Sequence, residues 1–248
     1  MVCYVALFVS LQVPQLFKQK ALNDNPSNTR QVEQVFDKPR GNIITADGVV
    51  IARTVAAKEG DRFRYQREYP RGELFAAVTG YFTLANGASQ LERTHNDTLS
   101  GRSIPLRNIG DLVGSVTPTG DVYLTIRADY QQLAAKLLGK REGSIVMMDP
   151  RSGAILAMYS WPSYDPNTIA THNSKSATKA LEKLLADKRK PLLANAYQER
   201  YMPGSTFKLV TTSTALKSGI VALGTVFPVE KSYTPPQTDN PIENYGGK

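Results

Sequence analysis

The residues with the clearest chemical potential are Ser205 and Lys208, which follow a Pro203-Gly204 turn at the start of a long apolar stretch. On a helix, this spacing places both side chains on one face, one turn apart. A neutral lysine amine can take the proton of a serine hydroxyl, and a helix N-terminus favours the alkoxide and disfavours the ammonium. We therefore predict Ser205 as a nucleophile and Lys208 as its general base, the Ser-x-x-Lys arrangement of serine acyltransferases.

The same spacing occurs a second time, at Ser176 and Lys179, within a polar and basic run. There we predict a helix N-cap for Ser176 and a solvated first-turn side chain for Lys179. Because the pattern occurs twice, spacing alone leaves an ordinary helix cap open for Ser205 as well. The helix after Ser205 differs in being apolar on several sides, as a buried central helix requires. Its apolar residues include Phe207, Leu209, Val210, Ala215 and Leu216.

The elements around this helix predict a mixed fold. Short strands are expected at 42–45 and 49–52, joined by a turn at Asp47-Gly48. Further along, the pattern predicts a strand at 122–126 and a helix over 129–138 that ends at Gly139.

Two more strands are predicted at 145–148 and 154–159, and the loop between them suits a hairpin with a bulge because it has a proline early and a glycine late. The serine helix should end at Lys217-Ser218-Gly219. This order predicts an antiparallel sheet with helices packed on it.

Composition narrows the classes of function. The chain has 248 residues and a net charge of +8, which suits an anionic membrane surface or cell-wall polymers. Its basic residues are scattered without a nucleic-acid-binding motif, so we expect no nucleic-acid partner. The single cysteine, Cys3, excludes an internal disulfide, and neither His95 nor His172 has a ligand partner at a suitable spacing. We therefore predict no metal site.

The first 17 residues are mostly apolar and carry no charged side chain. We interpret 1–17 as the remnant of a membrane signal anchor, with a buried or interfacial helix as the alternative. Lys18 and Lys20 follow this segment, which conflicts with an extracytoplasmic main domain. We therefore expect a basic cytoplasmic tail upstream of the residues given.

Five segments resemble the penicillin-binding proteins, in family order and spacing. Pro203–Lys208 resembles their active-site box, Gly143–Met158 the opening hairpin of their transpeptidase domain, and Ser163–Asn167 the segment that follows it. Arg40–Ile43 and Asp47–Ala52 resemble the Arg-Gly-x-Ile…Asp-Gly-x-x-Leu-Ala signature of their pedestal domain. The chain is similar to the class B enzymes, in particular to the actinobacterial penicillin-binding protein A type. This resemblance favours the nucleophile interpretation of Ser205.

The resemblance implies an α+β fold. A small irregular pedestal, or dimerisation-like, domain with its linker is expected over 18–120, and the first half of a transpeptidase domain over 121–248. No Ser-x-Asn box follows Ser205, and Lys217-Ser218-Gly219 lies too close to Lys208 to form the third box. We therefore expect a truncated transpeptidase domain and a fragment that is inactive by itself. One departure is Ala194-Asn195-Ala196, where the family often has Asn-Arg-Ala.

The implied activity is that of a peptidoglycan D,D-transpeptidase, which cross-links stem peptides through an acyl-enzyme on Ser205 and needs no metal or organic cofactor. The implied ligands are lipid II-derived stem peptides and β-lactam antibiotics. A glycosyltransferase or a divisome protein is a candidate partner. The implied location is the cell membrane, with a single span and the catalytic domain outside. Two alternatives stay open: a β-lactamase or D,D-carboxypeptidase, and a non-catalytic membrane-attached cell-wall scaffold or sensor.

Overall fold

The described residues, 36–102, 119–227 and 230–243, are those of a computed structural model. The chain divides into two compact units, residues 1–200 and 201–248. None of the helices in these described ranges is both long enough and apolar enough to cross a membrane. The predicted anchor over 1–17 lies outside the described residues.

The strands of the described residues are all short and form four sheets. They are β1 Ile43–Ile44, β2 Val50–Ala56, β3 Tyr65–Glu68, β4 Phe82–Thr83, β5 Gly87–Ala88, β6 Val122–Tyr123, β7 Gly143–Met148, β8 Ile155–Trp161, β9 Ser232–Tyr233 and β10 Ile242–Glu243. The largest sheet has the order β3-β2-β1-β6, and the others are the pairs β4-β5, β7-β8 and β9-β10.

The α-helices lie between these strands. They are α1 Ala76–Thr79, α2 Gln90–Thr94, α3 Asn96–Leu99, α4 Ala128–Leu138, α5 Ser174–Ala186, α6 Asn195–Gln198 and α7 Phe207–Lys217. Single 3-10 turns occur at Gly72–Leu74, Pro166–Thr168 and Gly204–Thr206. In the described ranges, helices occur together with three antiparallel strand pairs and one mixed four-stranded sheet, which confirms the predicted α+β class.

The four-stranded sheet begins with the turn that the sequence predicts. Gly48 has a φ of 79° in that turn, and β1 then pairs antiparallel with β2. The strand β6 pairs in parallel with β1, so it shares a sheet with strands of the predicted pedestal. The predicted strand over 122–126 is regular only at Val122–Tyr123, although the Leu124 N–H still donates to the Ile44 carbonyl at 2.8 Å and the Ala46 N–H to the Ile126 carbonyl at 2.9 Å. There the Thr125 hydroxyl donates to the Ile155 carbonyl at 2.7 Å.

The hairpin of β7 and β8 confirms the predicted pair of strands. Its register runs from Gly143 opposite Trp161 to Met148 opposite Ile155, with a bulge between Met147 and Met148. Helix α4 packs on this hairpin through a buried cluster that contains Ala134, Ala157 and Tyr159. As predicted, the helix ends at Gly139, which has a φ of 61°.

One buried amide joins α4 to two other segments. The Gln131 side chain accepts a hydrogen bond from the Met158 amide at 2.8 Å and donates to the Met158 carbonyl at 2.8 Å. The same amide donates to the Leu74 carbonyl at 3.0 Å. Gln131 therefore pairs with backbone groups of β8 as a neighbouring strand would.

A buried ionic cluster lies in the core of the first unit. Arg40 and Arg67 each approach one oxygen of the fully buried Glu92 carboxylate, at 2.6 and 2.7 Å. The Tyr69 hydroxyl donates to that carboxylate at 3.2 Å. Burial lowers the pKa of the Arg40 guanidinium, whereas burial and the Glu92 charge raise the pKa of Tyr69 well above its ordinary value. The arginine of the predicted pedestal signature therefore has a structural partner in α2.

Candidate active site

Ser205 is the middle residue of the Gly204–Thr206 turn, and Lys208 is the second residue of α7. Gly204 has a φ of 53°, a conformation that would strain a side chain, so a glycine before the serine suits the turn. The Pro203 carbonyl accepts hydrogen bonds from the Thr206 amide and the Thr206 hydroxyl. These contacts lead the chain from the Pro-Gly turn directly into the helix.

The C-terminus of α7 agrees with the sequence prediction. The helix ends at Lys217, and Gly219 follows with a φ of 72°. Lys217-Ser218-Gly219 therefore forms a helix end, where a glycine in the left-handed region terminates the hydrogen-bond pattern.

The expected burial of α7 is wrong for the structure described. None of its residues is buried, and the side chains of Phe207 and Leu209 are 55% and 74% exposed. Besides this helix, the strands described in the second unit are the two-residue β9 and β10. Such a short ribbon cannot cover a three-turn helix on several sides. The apolar pattern of α7 is thus not matched by a packed layer within this unit.

The activating contact between the two candidate residues is not formed. Ser205 and Lys208 are both exposed, and neither the Ser205 hydroxyl nor the Lys208 amine has a hydrogen-bond partner among the described residues. Proton transfer needs donor and acceptor at about 2.6–3.2 Å. The structure therefore provides the order and the spacing of the pair but not its engaged geometry.

The second Ser-x-x-Lys copy lies on the surface helix α5. The predicted N-cap role of Ser176 is wrong, because Asn173 is the N-cap and its side-chain oxygen accepts a hydrogen bond from the Ser176 amide at 3.0 Å. Asparagine at this position satisfies an unpaired N–H of the first turn. Lys179 is exposed to solvent, as predicted, but it lies in the second turn because the helix begins at Ser174. This copy has the features of an ordinary surface helix.

The segment that departs from the expected Asn-Arg-Ala is anchored to β8. Asn195 donates its side-chain amide to the Trp161 carbonyl at 3.0 Å. The Ala196 amide donates to the Ser160 hydroxyl at 3.1 Å. An uncharged side chain therefore fixes the start of α6 at the end of the strand.

A cleft of about 570 Å³ opens in the first unit beside α2 and β8. Its walls are mostly apolar, with Leu91, Ile126 and Met158 among them, and Arg93 and Tyr197 add polar groups. The lining contains no serine–lysine pair, so the cleft does not compete with Ser205 and Lys208 as a candidate catalytic site. In the described part of the chain, no group of three His, Cys, Asp or Glu side chains could hold a metal ion.

Comparison with known families decides the identity of the chain. Residues 40–122 match the model of the penicillin binding protein A dimerisation domain. Residues 143–248, which include Ser205 and Lys208, match the model of the penicillin binding protein transpeptidase domain. The chain belongs to the penicillin-binding proteins. This match confirms the family resemblance that the sequence motifs indicate.

Relatives of this penicillin-binding protein have been described in several bacteria. It is 37% identical over 255 residues to the peptidoglycan D,D-transpeptidase PbpA of Mycolicibacterium smegmatis, with 100% of this chain and 51% of that protein covered. It is 31% identical over 191 residues to the peptidoglycan D,D-transpeptidase MrdA of Escherichia coli, with 64% of this chain and 30% of that protein covered. The chain spans about half the length of the PbpA relatives that it matches.

Solved structures of penicillin-binding protein A from M. tuberculosis share the fold. The imipenem acyl-enzyme complex superposes with a TM-score of 0.75 at 34% identity, covering 86% of this chain and 50% of that one. The penicillin G acyl-enzyme complex gives a TM-score of 0.73 at 35% identity, with 85% and 49% covered. At this level of identity, the likeness extends to the sequence as well as the fold.

The sequence prediction missed the partners of Arg40. Glu92 stands between Leu91 and Arg93 in a stretch that looks like an ordinary helix surface, yet its side chain is fully buried. Burial of a carboxylate depends on the two arginines that reach it from other parts of the chain. Covariation among these positions in an alignment would be the signal able to reveal the cluster.

Proposed function

We propose that this chain provides the pedestal and the nucleophile-bearing half of a peptidoglycan D,D-transpeptidase. The observation that carries the proposal is the position of Ser205 and Lys208. Both lie at the N-terminus of α7, inside the region that matches the transpeptidase domain. The proposed organisation is a membrane anchor over 1–17, a pedestal domain with its linker over 18–120, and transpeptidase sequence over 121–248.

The proposed reaction begins when the Ser205 hydroxyl oxygen attacks the penultimate D-Ala carbonyl of a stem peptide. Lys208 takes the hydroxyl proton and returns a proton to the departing amine, so that the peptide bond breaks and the terminal D-Ala leaves. The Ser205 backbone N–H contributes to the binding of the oxyanion. An amine of a neighbouring stem peptide then takes the acyl group and restores the serine.

Two further observations support the pairing of these roles. The N-terminus of α7 presents the positive end of the helix dipole, which stabilises negative charge at Ser205. The M. tuberculosis relatives were solved as acyl-enzymes with imipenem and with penicillin G, and by likeness we assign β-lactam acylation to Ser205. A location on the outer face of the cell membrane, with a glycosyltransferase or divisome protein as neighbour, completes the proposal.

The test uses a chimera in which this chain continues into the C-terminal half of the M. smegmatis relative. Covalent labelling by a fluorescent penicillin should require Ser205, so Ser205→Ala should abolish the labelled band. Lys208→Ala should slow labelling by about 10²–10⁴-fold, the usual contribution of a general base. Ser176→Ala is the matched control, since it removes the serine of the other Ser-x-x-Lys copy and should label normally.

Persistent labelling of the Ser205→Ala chimera would disprove the assignment of the nucleophile. The fate of the acyl group separates the remaining enzyme classes. Transfer of the stem-peptide acyl group to an added D-amino acid amine supports a transpeptidase, and its transfer to water indicates a carboxypeptidase. Rapid hydrolysis of the penicilloyl adduct indicates a β-lactamase. A chimera that folds but never labels would favour the scaffold alternative.

A further inference from the structure

The side-chain amide of Asn167 pairs with the backbone of Tyr69, which is distant in sequence. The Tyr69 N–H donates to the amide oxygen of Asn167 at 2.9 Å, and the amide nitrogen of Asn167 donates to the Tyr69 carbonyl at 2.9 Å. Tyr69 directly follows β3, the edge strand of the four-stranded sheet. A single side chain thus satisfies both backbone groups at this edge, as a neighbouring strand would.

The orientation of that amide is set by Asp165. One oxygen of the Asp165 carboxylate accepts hydrogen bonds from the side-chain nitrogen of Asn167 at 2.8 Å and from its backbone N–H at 3.0 Å. A carboxylate accepts hydrogen bonds and an amide nitrogen donates two. The contact with Asp165 therefore fixes the nitrogen toward the Tyr69 carbonyl and leaves the amide oxygen for the Tyr69 N–H.

Gly72 leaves room for the Asp165 carboxylate that orients Asn167. Gly72 has a φ of 41°, and a Cβ at that residue would lie 3.3 Å from the Asp165 carboxylate oxygen. A side chain there would be strained and would also crowd the carboxylate. The chain around Tyr69 thus leaves space for Asp165 to approach.

Tyr69 connects this contact to the buried ionic cluster, because its hydroxyl donates to Glu92. Tyr69 lies in the region that matches the dimerisation domain, while Asp165 and Asn167 lie in the region that matches the transpeptidase domain. We propose that Asp165 and Asn167 form a positioning pair that holds the transpeptidase region on the edge of the pedestal sheet by recognising the Tyr69 backbone. We call this arrangement, the Asp165 and Asn167 side chains with the Tyr69 backbone, the amide lock.

The amide lock makes a specific demand on the chemistry of position 167. The residue must accept from an N–H and donate to a carbonyl at once, which an amide can do and a carboxylate cannot. Exchanging the two side chains in the double variant Asp165→Asn/Asn167→Asp keeps the charge and the contact between 165 and 167. It loses the donor to the Tyr69 carbonyl. A role confined to the local turn would survive this exchange, whereas the amide lock would not.

The experiment measures amide hydrogen exchange at Tyr69 and the thermal unfolding midpoint in the whole chain. Asn167→Leu should speed exchange at Tyr69 by tenfold or more, because its N–H loses its partner. The midpoint should fall by roughly 2–4 °C in Asn167→Leu, and also in the double variant, where the Tyr69 carbonyl loses its donor and faces a carboxylate. Thr168→Ala is the matched control, since the Thr168 hydroxyl bonds to the Asp165 carbonyl in the same segment and should leave Tyr69 protected.

Wild-type protection at Tyr69 and the double variant decide the proposal together. If the double variant unfolds at the wild-type midpoint, the pair serves only its own turn and the proposal is overturned. If Asn167→Leu does not fold, the wild-type comparison still applies: Tyr69 should exchange as slowly as Val55 within the β2–β3 pairing. Exchange at Tyr69 as fast as in an exposed loop would overturn the proposal.

Discussion

Side chains in the core of the first unit are buried against partners, whereas the side chains of helix α7 are mostly exposed. In the first unit, even charged and amide groups such as Glu92 and Gln131 are buried and fully engaged with partners from distant segments. In α7, by contrast, apolar side chains such as Leu209 are exposed. An apolar sequence pattern indicates which side chains favour burial, but burial requires helices or strands from elsewhere in the chain to pack against them. The difference lies in the available partners and not in the local sequence.

The largest expected effect comes from breaking the ionic cluster. Replacing Glu92 with leucine leaves two buried guanidinium groups without their carboxylate and should lower the free energy of unfolding by about 3–5 kcal/mol. Urea denaturation followed by the fluorescence of Trp161, the single tryptophan, measures this. The control is Glu68→Leu, which removes a half-exposed partner of Arg53 on the same sheet and should cost about 0–1 kcal/mol.

Equal costs for the two glutamates would contradict the distinction between buried and surface pairs. A large loss for Glu92→Leu alone would show that the first unit depends on pairing charge inside its core. The comparison with α7 would then rest on a measured energy and not only on burial.

A smaller effect is expected for the buried amide of α4. Gln131→Leu introduces an apolar side chain of similar size and leaves the Met158 backbone groups and the Leu74 carbonyl without their partner. We expect a loss of about 1–3 kcal/mol, the cost of unsatisfied buried polar groups. Its neighbour Gln132 is exposed, so Gln132→Leu should change the stability by less than about 0.5 kcal/mol. The same urea titration checks both, and a stable Gln131→Leu would mean that water replaces the amide.

The sequence predicted the parts of this fold that local chemistry controls. The Asp47-Gly48 turn, the hairpin bulge and the glycine after α4 all follow from residues that require one backbone conformation. The order of Ser205 and Lys208 at a helix start also followed from local residues. The Glu92 cluster and the exposure of α7 could not be predicted, because both depend on which distant segments are present to pack. The N-cap of α5 was misplaced because Asn173 and Ser176 are both good caps in one run.

The turn residue Asp47 offers a test that depends on pH. Partial loss of hydration raises the pKa of its carboxyl, but hydrogen bonds donated by the Thr45 hydroxyl and the Ala128 amide outweigh this and lower the pKa overall. The charged form therefore stabilises the fold above the ordinary carboxyl pKa, and this stabilisation is lost as the pH falls through the lowered value. Asp47→Ala should cost about 0.5–1 kcal/mol at pH 7, as the loss of a helix cap does.

At pH 3, the stability difference between Asp47→Ala and the wild type should be smaller than at pH 7. Asp97→Ala provides the control, since the Asp97 carboxylate makes no hydrogen bond among the described residues. If the loss of stability caused by Asp47→Ala grew as the pH fell, the charged carboxylate would not be the stabilising form at this turn.

The smallest expected effect tests α7 directly. Leu209→Ala removes an exposed side chain, so the helix content of this chain and amide exchange within α7 should stay almost unchanged, within about 0.5 kcal/mol. Leu99→Ala, at a fully buried position of the first unit, should cost about 2–5 kcal/mol under the same conditions. In the chimera with the C-terminal half of the M. smegmatis relative, Leu209→Ala should become costly if the added strands and helices cover α7. If Leu209→Ala is neutral in the chimera as well, the apolar pattern of α7 does not report a buried helix, and the comparison between the two regions fails.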